Sequence, residues 1–287
     1  MTTKKITTSG QQAIFQSAYT PIDVLDEICE RHKIKSPFAT FTPQSALKQA
    51  LQTIFRNGSH GKTFIDEGKK GTFCIIRREV LEDGNTYDMQ NSCWVDNDNN
   101  VQSRGDDGGI DEIAEVQTEV DRLLKLVPTG RVTTGLGLIA IRHFNATRMT
   151  SGCFFIGVKS LDKWLAFADD YDAVTATTNK IHRVILGVDP ESAATVMATA
   201  STDLQARYED ALQRLERVGT DDDEDTPAAR KSKAKRRNKI NDELDDISKM
   251  VDEFESSFGT VSADLKQIKD TIVAETTLAN LASFMTN

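Results

Sequence analysis

From Ile240 onward the chain places an apolar residue at alternating steps of four and three: Ile240, Leu244, Ile247, Val251, Phe254, Phe258, Val261, Leu265, Ile268 and Ile272. Each step is close to one helical turn, so these side chains form a single stripe that must be buried against something. The spacing is that of a coiled-coil seam, and it suggests a self-association surface covered by a second copy. Leu204, Tyr208, Leu212, Leu215 and Val218 repeat the pattern in the preceding stretch, and Pro227 keeps the two from being one unbroken helix. If they fold back antiparallel, Leu204, Leu212 and Leu215 are expected to pack against some of Ile240, Leu244, Ile247 and Val251. Gly259 interrupts the second stretch. A bend near 258–260 competes there with one continuous helix, in which glycine costs about 1 kcal/mol relative to alanine.

Between the two stripes lie opposite blocks of charge. Asp221-Asp222-Asp223-Glu224-Asp225 is followed by Arg230, Lys231, Lys233, Lys235, Arg236, Arg237 and Lys239. Clustered Lys and Arg release counterions when they meet phosphate, which makes the second block a candidate site for nucleic acid or another acidic partner. The plainer alternative is a solvated charged linker, 219–239, whose blocks satisfy each other. The net charge of -9 excludes nonspecific coating of nucleic acid by the whole surface and confines that reading to the basic run.

Ahead of residue 190 the periodicities are shorter and mixed. A length of 287 residues fits two compact units, or one with an extension. Residues 1–20 read as a flexible polar tail with no apolar run like that of a signal peptide. Pro21 opens a short helix up to about His32, and Thr42-Pro43-Gln44-Ser45 starts a second one through Phe55. Residues 72–78 form a buried strand, and two strands flank the turn 96–100. Ile113, Val116, Val120, Leu123, Leu124 and Val127 line a helix that Pro128 ends. A helix over 133–144, a hairpin over 147–158, a helix capped by Ser160 and a strand from Ile181 to Val188 follow. The expected class is α+β: small antiparallel sheets packed with helices, then a long coiled-coil-like arm. Its expected parts are a first unit, 21–104, a second, 105–189, and the arm, 190–287.

Motifs for chemistry are weak. Gly58-Ser-His-Gly61-Lys62-Thr63 ends like a phosphate-binding loop, but Arg56 stands where that motif needs glycine and a helix precedes it. Asp96-Asn97-Asp98-Asn99-Asn100 resembles the start of a calcium loop, yet Val101 replaces the turn glycine, so a polar hairpin turn is expected. Cys29, Cys74, Cys93 and Cys153 have no zinc-ligand spacing and read as reduced, buried thiols. His32, His60, His143 and His182 are scattered, without catalytic partners at hydrolase spacing. No catalytic residue, metal ligand or cofactor is expected. The order helix, helix, hairpin over 111–158 is also that of a winged helix, offering Arg131, Arg142, His143 and Arg148 to a groove. No run is long and apolar enough to cross a bilayer.

The segment Ser151-Gly152-Cys153-Phe154-Phe155-Ile156-Gly157-Val158, with Leu161 and Trp164 after it, resembles a region in uncharacterised proteins of phages, plasmids and other prokaryotic mobile elements, over about residues 40–190. The resemblance implies such an origin and a home in the cytoplasm of a bacterial host. It brings no catalytic residues. The expected function is a non-enzymatic interaction or assembly protein that associates with itself or docks on a protein partner through its C-terminal helices. The alternative is a nucleic-acid-binding accessory protein of replication, recombination or regulation that uses the run 230–239.

Overall fold

The computed structural model describes residues 8–56, 63–68, 71–81, 84–105, 109–150, 152–175, 179–187, 190–220, 226–259, 263 and 265–272. In chain order its elements are β1 (Thr8–Gln16), β2 (Thr20–Pro21), α1 (Ile22–Arg31), α2 (Pro43–Leu51) with a π-helical turn over Gln52–Arg56, β3 (Thr63–Glu67), β4 (Thr72–Leu81), β5 (Gly84–Val95), β6 (Val101–Gly105), α3 (Ile113–Leu123), β7 (Leu126–Val127), α4 (Thr129–Phe144), β8 (Thr147–Thr150), β9 (Cys153–Gly157), α5 (Leu161–Thr175), β10 (Lys180–Gly187), α6 (Pro190–Thr220) and α7 (Pro227–Phe258). The class is α+β with small antiparallel sheets, as expected. The chain divides into one unit of Ala18–Cys29 and Phe38–Val132, and another of Met1–Ser17, Glu30–Pro37 and Thr133–Asn287.

The first of these units is built on the meander β3-β4-β5-β6. Alternation along β4 and β5 turns Phe73, Ile75 and Cys93 to one face, where Leu47 and Leu51 of α2 and Val116, Val120 and Leu123 of α3 cover them. Thr42 and Ser45 close a reciprocal cap at the start of α2, the Ser45 N–H donating to Thr42 Oγ1 at 3.3 Å and the Thr42 N–H to Ser45 Oγ at 2.8 Å. Asp96 Oδ1 accepts the N–H groups of Asp98 and Asn100, so the segment that resembles a calcium loop is a polar turn between β5 and β6. Burial pushes the Cys93 thiol up to about 12, leaving it an inert core residue.

Three expectations are corrected here. Residue 105 is not a boundary, because α3 shares its core with α2 and the meander. The helix expected through Val127 stops at Leu123, and Val127 pairs with Thr20 in a two-strand ladder that the helical spacing of its side chain concealed. The winged-helix order is not a winged helix. Its hairpin, β8-β9, belongs to a sheet with β1 and β10.

That sheet, ordered β10-β1-β9-β8 and antiparallel throughout, is the centre of the other unit. The expected flexible tail therefore contains a central strand, with Gln12 opposite both Phe155 and Val184. Every residue of β9 is buried because both faces are covered. Phe154 meets α4 at Gly137 and stacks on Phe15 at 5.2 Å, while Phe155 stacks on Phe254 and Phe258 of α7 at 5.2 and 5.4 Å. The arm expected as a separate part at 190–287 is thus part of this unit.

The contact of α7 with the sheet includes a buried carboxylate. Glu253 is 3% exposed, and its Oε1 accepts the Ser160 N–H at 3.0 Å, at the start of α5 where a helix favours negative charge. Ser257 Oγ accepts the Val158 N–H at 3.1 Å. Gly157 permits this approach, since a Cβ there would lie 2.6 Å from Ser257 Oγ and 2.7 Å from Glu253 Oε1. Burial raises the Glu253 pKa, and the backbone donors of Ser160 and Lys159 only partly offset it. The folded carboxyl thus holds its proton more tightly than the unfolded one, and its contribution to stability falls as pH rises from the ordinary glutamate range through the raised value. Thermal melts across that range should show the gap between Glu253→Gln and the parent protein widening in favour of the variant as pH rises, because the variant keeps an acceptor without the titration.

Candidate functional site

The α6 and α7 helices run antiparallel. Arg214 Nη2 donates to Glu243 at 2.9 Å, and seven residues earlier on α6 Arg207 meets Met250, seven residues later on α7. Their shared core joins Val196, Ala200, Leu204, Tyr208, Ala211 and Val218 to Ile240, Leu244, Ile247, Val251 and Phe254, with Leu212 and Leu215 packed on it. The expected fold-back is the one observed. Gly259, at φ 74°, caps α7 and decides the choice left open there in favour of a bend. Lys269 of the helical residues 265–272 returns to pair with Asp252 and Glu255, which one continuous helix would hold well out of reach. Leu265, Ile268 and Ile272 enter the same core.

The stripe expected as a self-association surface is therefore occupied by the chain itself. Ile240, Leu244, Ile247, Val251, Phe254, Leu265, Ile268 and Ile272 are all buried, and Phe258 is half-buried against Phe155. Val261 lies outside the described residues. The spacing correctly signalled burial but did not specify what would cover it.

Where the stripe ends, α7 changes character. Continuing the α6–α7 register sets Thr220, the last residue of α6, opposite about Arg237, so the opening turns of α7 extend past α6. Along Arg230 to Lys239 of α7, Arg230, Lys231, Lys235, Arg236, Arg237 and Lys239 are exposed and Lys233 is half-buried, the first five cations lying beyond the end of α6. At 100° per residue these seven cations point to every side of the helix, with no acidic residue between Pro227 and Lys239. Thr226 caps the helix, its Oγ1 accepting the Ala229 N–H. The acidic block 221–225 and the glycine-rich loop at 57–62 lie outside the described residues.

Beside the stripe is a cleft of about 830 Å³, walled by the end of α4 (Leu138, Ile141, Arg142, His143), by Arg148 of β8, by Asp203, Arg207 and Arg214 of α6, and by Lys239, Asp242, Glu243 and Asp246 of α7. Asp203 is half-buried, and burial raises its pKa against the pull of Arg207 and Arg148. Its Oδ2 is buried and 3.9 Å from Arg207 Nη1, too far for a hydrogen bond. Burial raises Asp246 as well, opposed by Lys249, Arg142 and Arg207, and lowers His143, with Arg142 adding to the effect. No motif foretold this cleft. Its residues come from four elements, and only Arg142, His143, Arg148 and Lys239 stood out beforehand.

The remaining histidines have plain roles. His32 Nε2 lies 2.9 Å from Asp170, and His182 Nε2 lies 3.0 Å from Gln16. All four cysteines are free. Among the described residues no helix is long and apolar enough to cross a membrane. Comparison of the chain with protein-family models, with curated proteins and with solved structures gives no match.

Proposed function

We propose that this chain is a non-enzymatic interaction protein that docks on nucleic acid through the opening turns of α7, an accessory role in replication, recombination or regulation. One observation supports this most: seven cations without an intervening acid occupy the capped opening turns of α7, five of them beyond the end of α6, while the stripe that follows is consumed inside the chain. A basic helix of this kind meets phosphates along a groove and owes its affinity to released counterions. Docking on a partner, rather than self-association through the stripe, fits the burial of the stripe. The origin in a phage or other mobile element rests on the resemblance around Phe154 and Trp164 alone, and a reducing cytoplasm suits the free thiols.

Fluorescence anisotropy with a labelled duplex and a labelled single strand, over a series of salt concentrations, tests the reading. The parent chain should bind at low salt, with log affinity falling linearly against log salt. Replacing Lys231, Lys235 and Arg237 together by Gln should weaken binding on the order of tenfold or more for all sequences and reduce the slope by about three. No binding at low salt, or an unchanged slope in the triple variant, overturns it.

A further inference from the structure

We infer that the nucleic acid this chain binds is duplex DNA, with the opening turns of α7 seated in the major groove and Asn238 reading base edges. The inference deepens the function proposed above and rests on it. It is carried by the order of residues around the helix. With the buried stripe lying in the direction of Ile240, and at about 100° per residue, Arg230 and Arg237 stand about 60–80° round from it and Lys231 and Lys235 about 180–220°. Between those two rows, at about 120° and 160° in the same sense, come Ala234 and Asn238. All six side chains are exposed. A face of small, uncharged residues thus has a row of cations along each border. In a major groove about 12 Å wide, which admits a helix about 10–12 Å across, each row meets one phosphate wall and the face between them meets the base pairs. An alanine there packs on a thymine methyl, and an asparagine amide donates to N7 of adenine and accepts from its N6 amino group.

The seat is short. Asp242 and Asp245 are exposed on the side of α7 away from the stripe, Asp245 in line with Ala234 and Asn238, and their charge repels phosphate. Contact therefore ends before Asp242. The span from Arg230 to Lys239 is about 14 Å, or roughly four base pairs, so the helix enters the groove by its first turns rather than lying along it. Other nucleic acids suit this helix less. Single-strand sites without sequence preference stack bases on aromatic rings, and the chain has no aromatic residue between Tyr208 and Phe254. The major groove of duplex RNA is too deep and narrow for side chains to read.

The experiment uses the full chain, its Asn238→Ala variant and the triple variant at Lys231, Lys235 and Arg237, with circular dichroism to confirm that each is folded. A random-sequence pool of DNA duplexes is selected for binding. The selected duplex, one of its strands and the same sequence as duplex RNA are then compared by anisotropy, with methyl green to occupy the major groove and netropsin the minor. The expected result is duplex DNA bound on the order of tenfold tighter than either other probe, and displaced by methyl green but not by netropsin. The selected sequences should share an adenine that Asn238→Ala no longer enriches, and that variant should lose about tenfold on the selected duplex while keeping the parent's salt slope. A single strand or duplex RNA bound as tightly as the DNA, or the same selected sequences from Asn238→Ala as from the parent, overturns the groove assignment; if the triple variant still loses affinity and slope, the basic-helix reading stands without it. A triple variant that binds all three probes like the parent overturns both.

Discussion

Replacing Leu244 and Ile247 together by Asp should unfold the helical hairpin and destabilise the sheet beneath it. The two side chains are 3% and 0% exposed and belong to one cluster with Leu204, Tyr208, Phe254 and Phe155 of β9. Truncating a buried Leu or Ile to Ala alone costs about 2–5 kcal/mol, and a carboxylate in the same place adds the loss of its hydration. Two such changes are comparable to the whole stability of a typical domain, about 5–15 kcal/mol. Far-UV circular dichroism should show lost helicity and a much lower midpoint, whereas Asn241→Asp, exposed on the same helix, should change neither by much. A double variant that melts like the parent would show that the stripe is not covered within the chain.

The other large effect is expected at Trp164. Its side chain is fully buried, with the rings of Phe144, Phe167 and Phe15 at 5.4, 5.9 and 6.2 Å, and its indole N–H donates to Gln11 Oε1 at 3.1 Å. Trp164→Ala should cost about 3–5 kcal/mol for the lost packing. Gln11 is only 5% exposed, so the stranded amide adds about 1–3 kcal/mol. Urea denaturation should place Trp164→Phe between the parent and Trp164→Ala, and adding Gln11→Leu to Trp164→Phe should recover stability by removing the unpaired acceptor. If Gln11→Leu makes the Phe variant less stable instead, the hydrogen bond is not what holds β1 against α5.

These two sites differ in how far the sequence exposes them. The stripe at Leu244 and Ile247 follows from spacing alone, because helical periodicity records which side of a helix must leave water. Its cover does not follow, since a second copy and the chain's own α6 present the same kind of surface. β1 is illegible for a different reason. Its inward residues are Gln11, Ala13 and Phe15, and Gln11 passes for a surface residue until Trp164, far along the chain, supplies a donor. Val127 misleads in the opposite direction, lying in phase with Val120 and Leu123 although the helix has already ended. The basic run was visible as a charge block, but its projection past α6 depends on the register of the hairpin. The cleft was hidden altogether, because Arg142, Arg148, Asp203 and Asp246 come together only when four elements pack.

The position of β1 also sets an order of events during synthesis. It is translated before the meander, yet its neighbours on either side are β9 and β10, translated after the entire meander with its two covering helices. The meander is built from neighbours in sequence and can close while translation continues, whereas β1 waits for partners from the far side of it. Until Cys153–Gly157 has emerged, Phe15 has no sheet to enter, and until Lys180–Gly187 follows, one edge of β1 stays open. Nascent chains arrested between these points should be the species that chaperones hold and proteases clear.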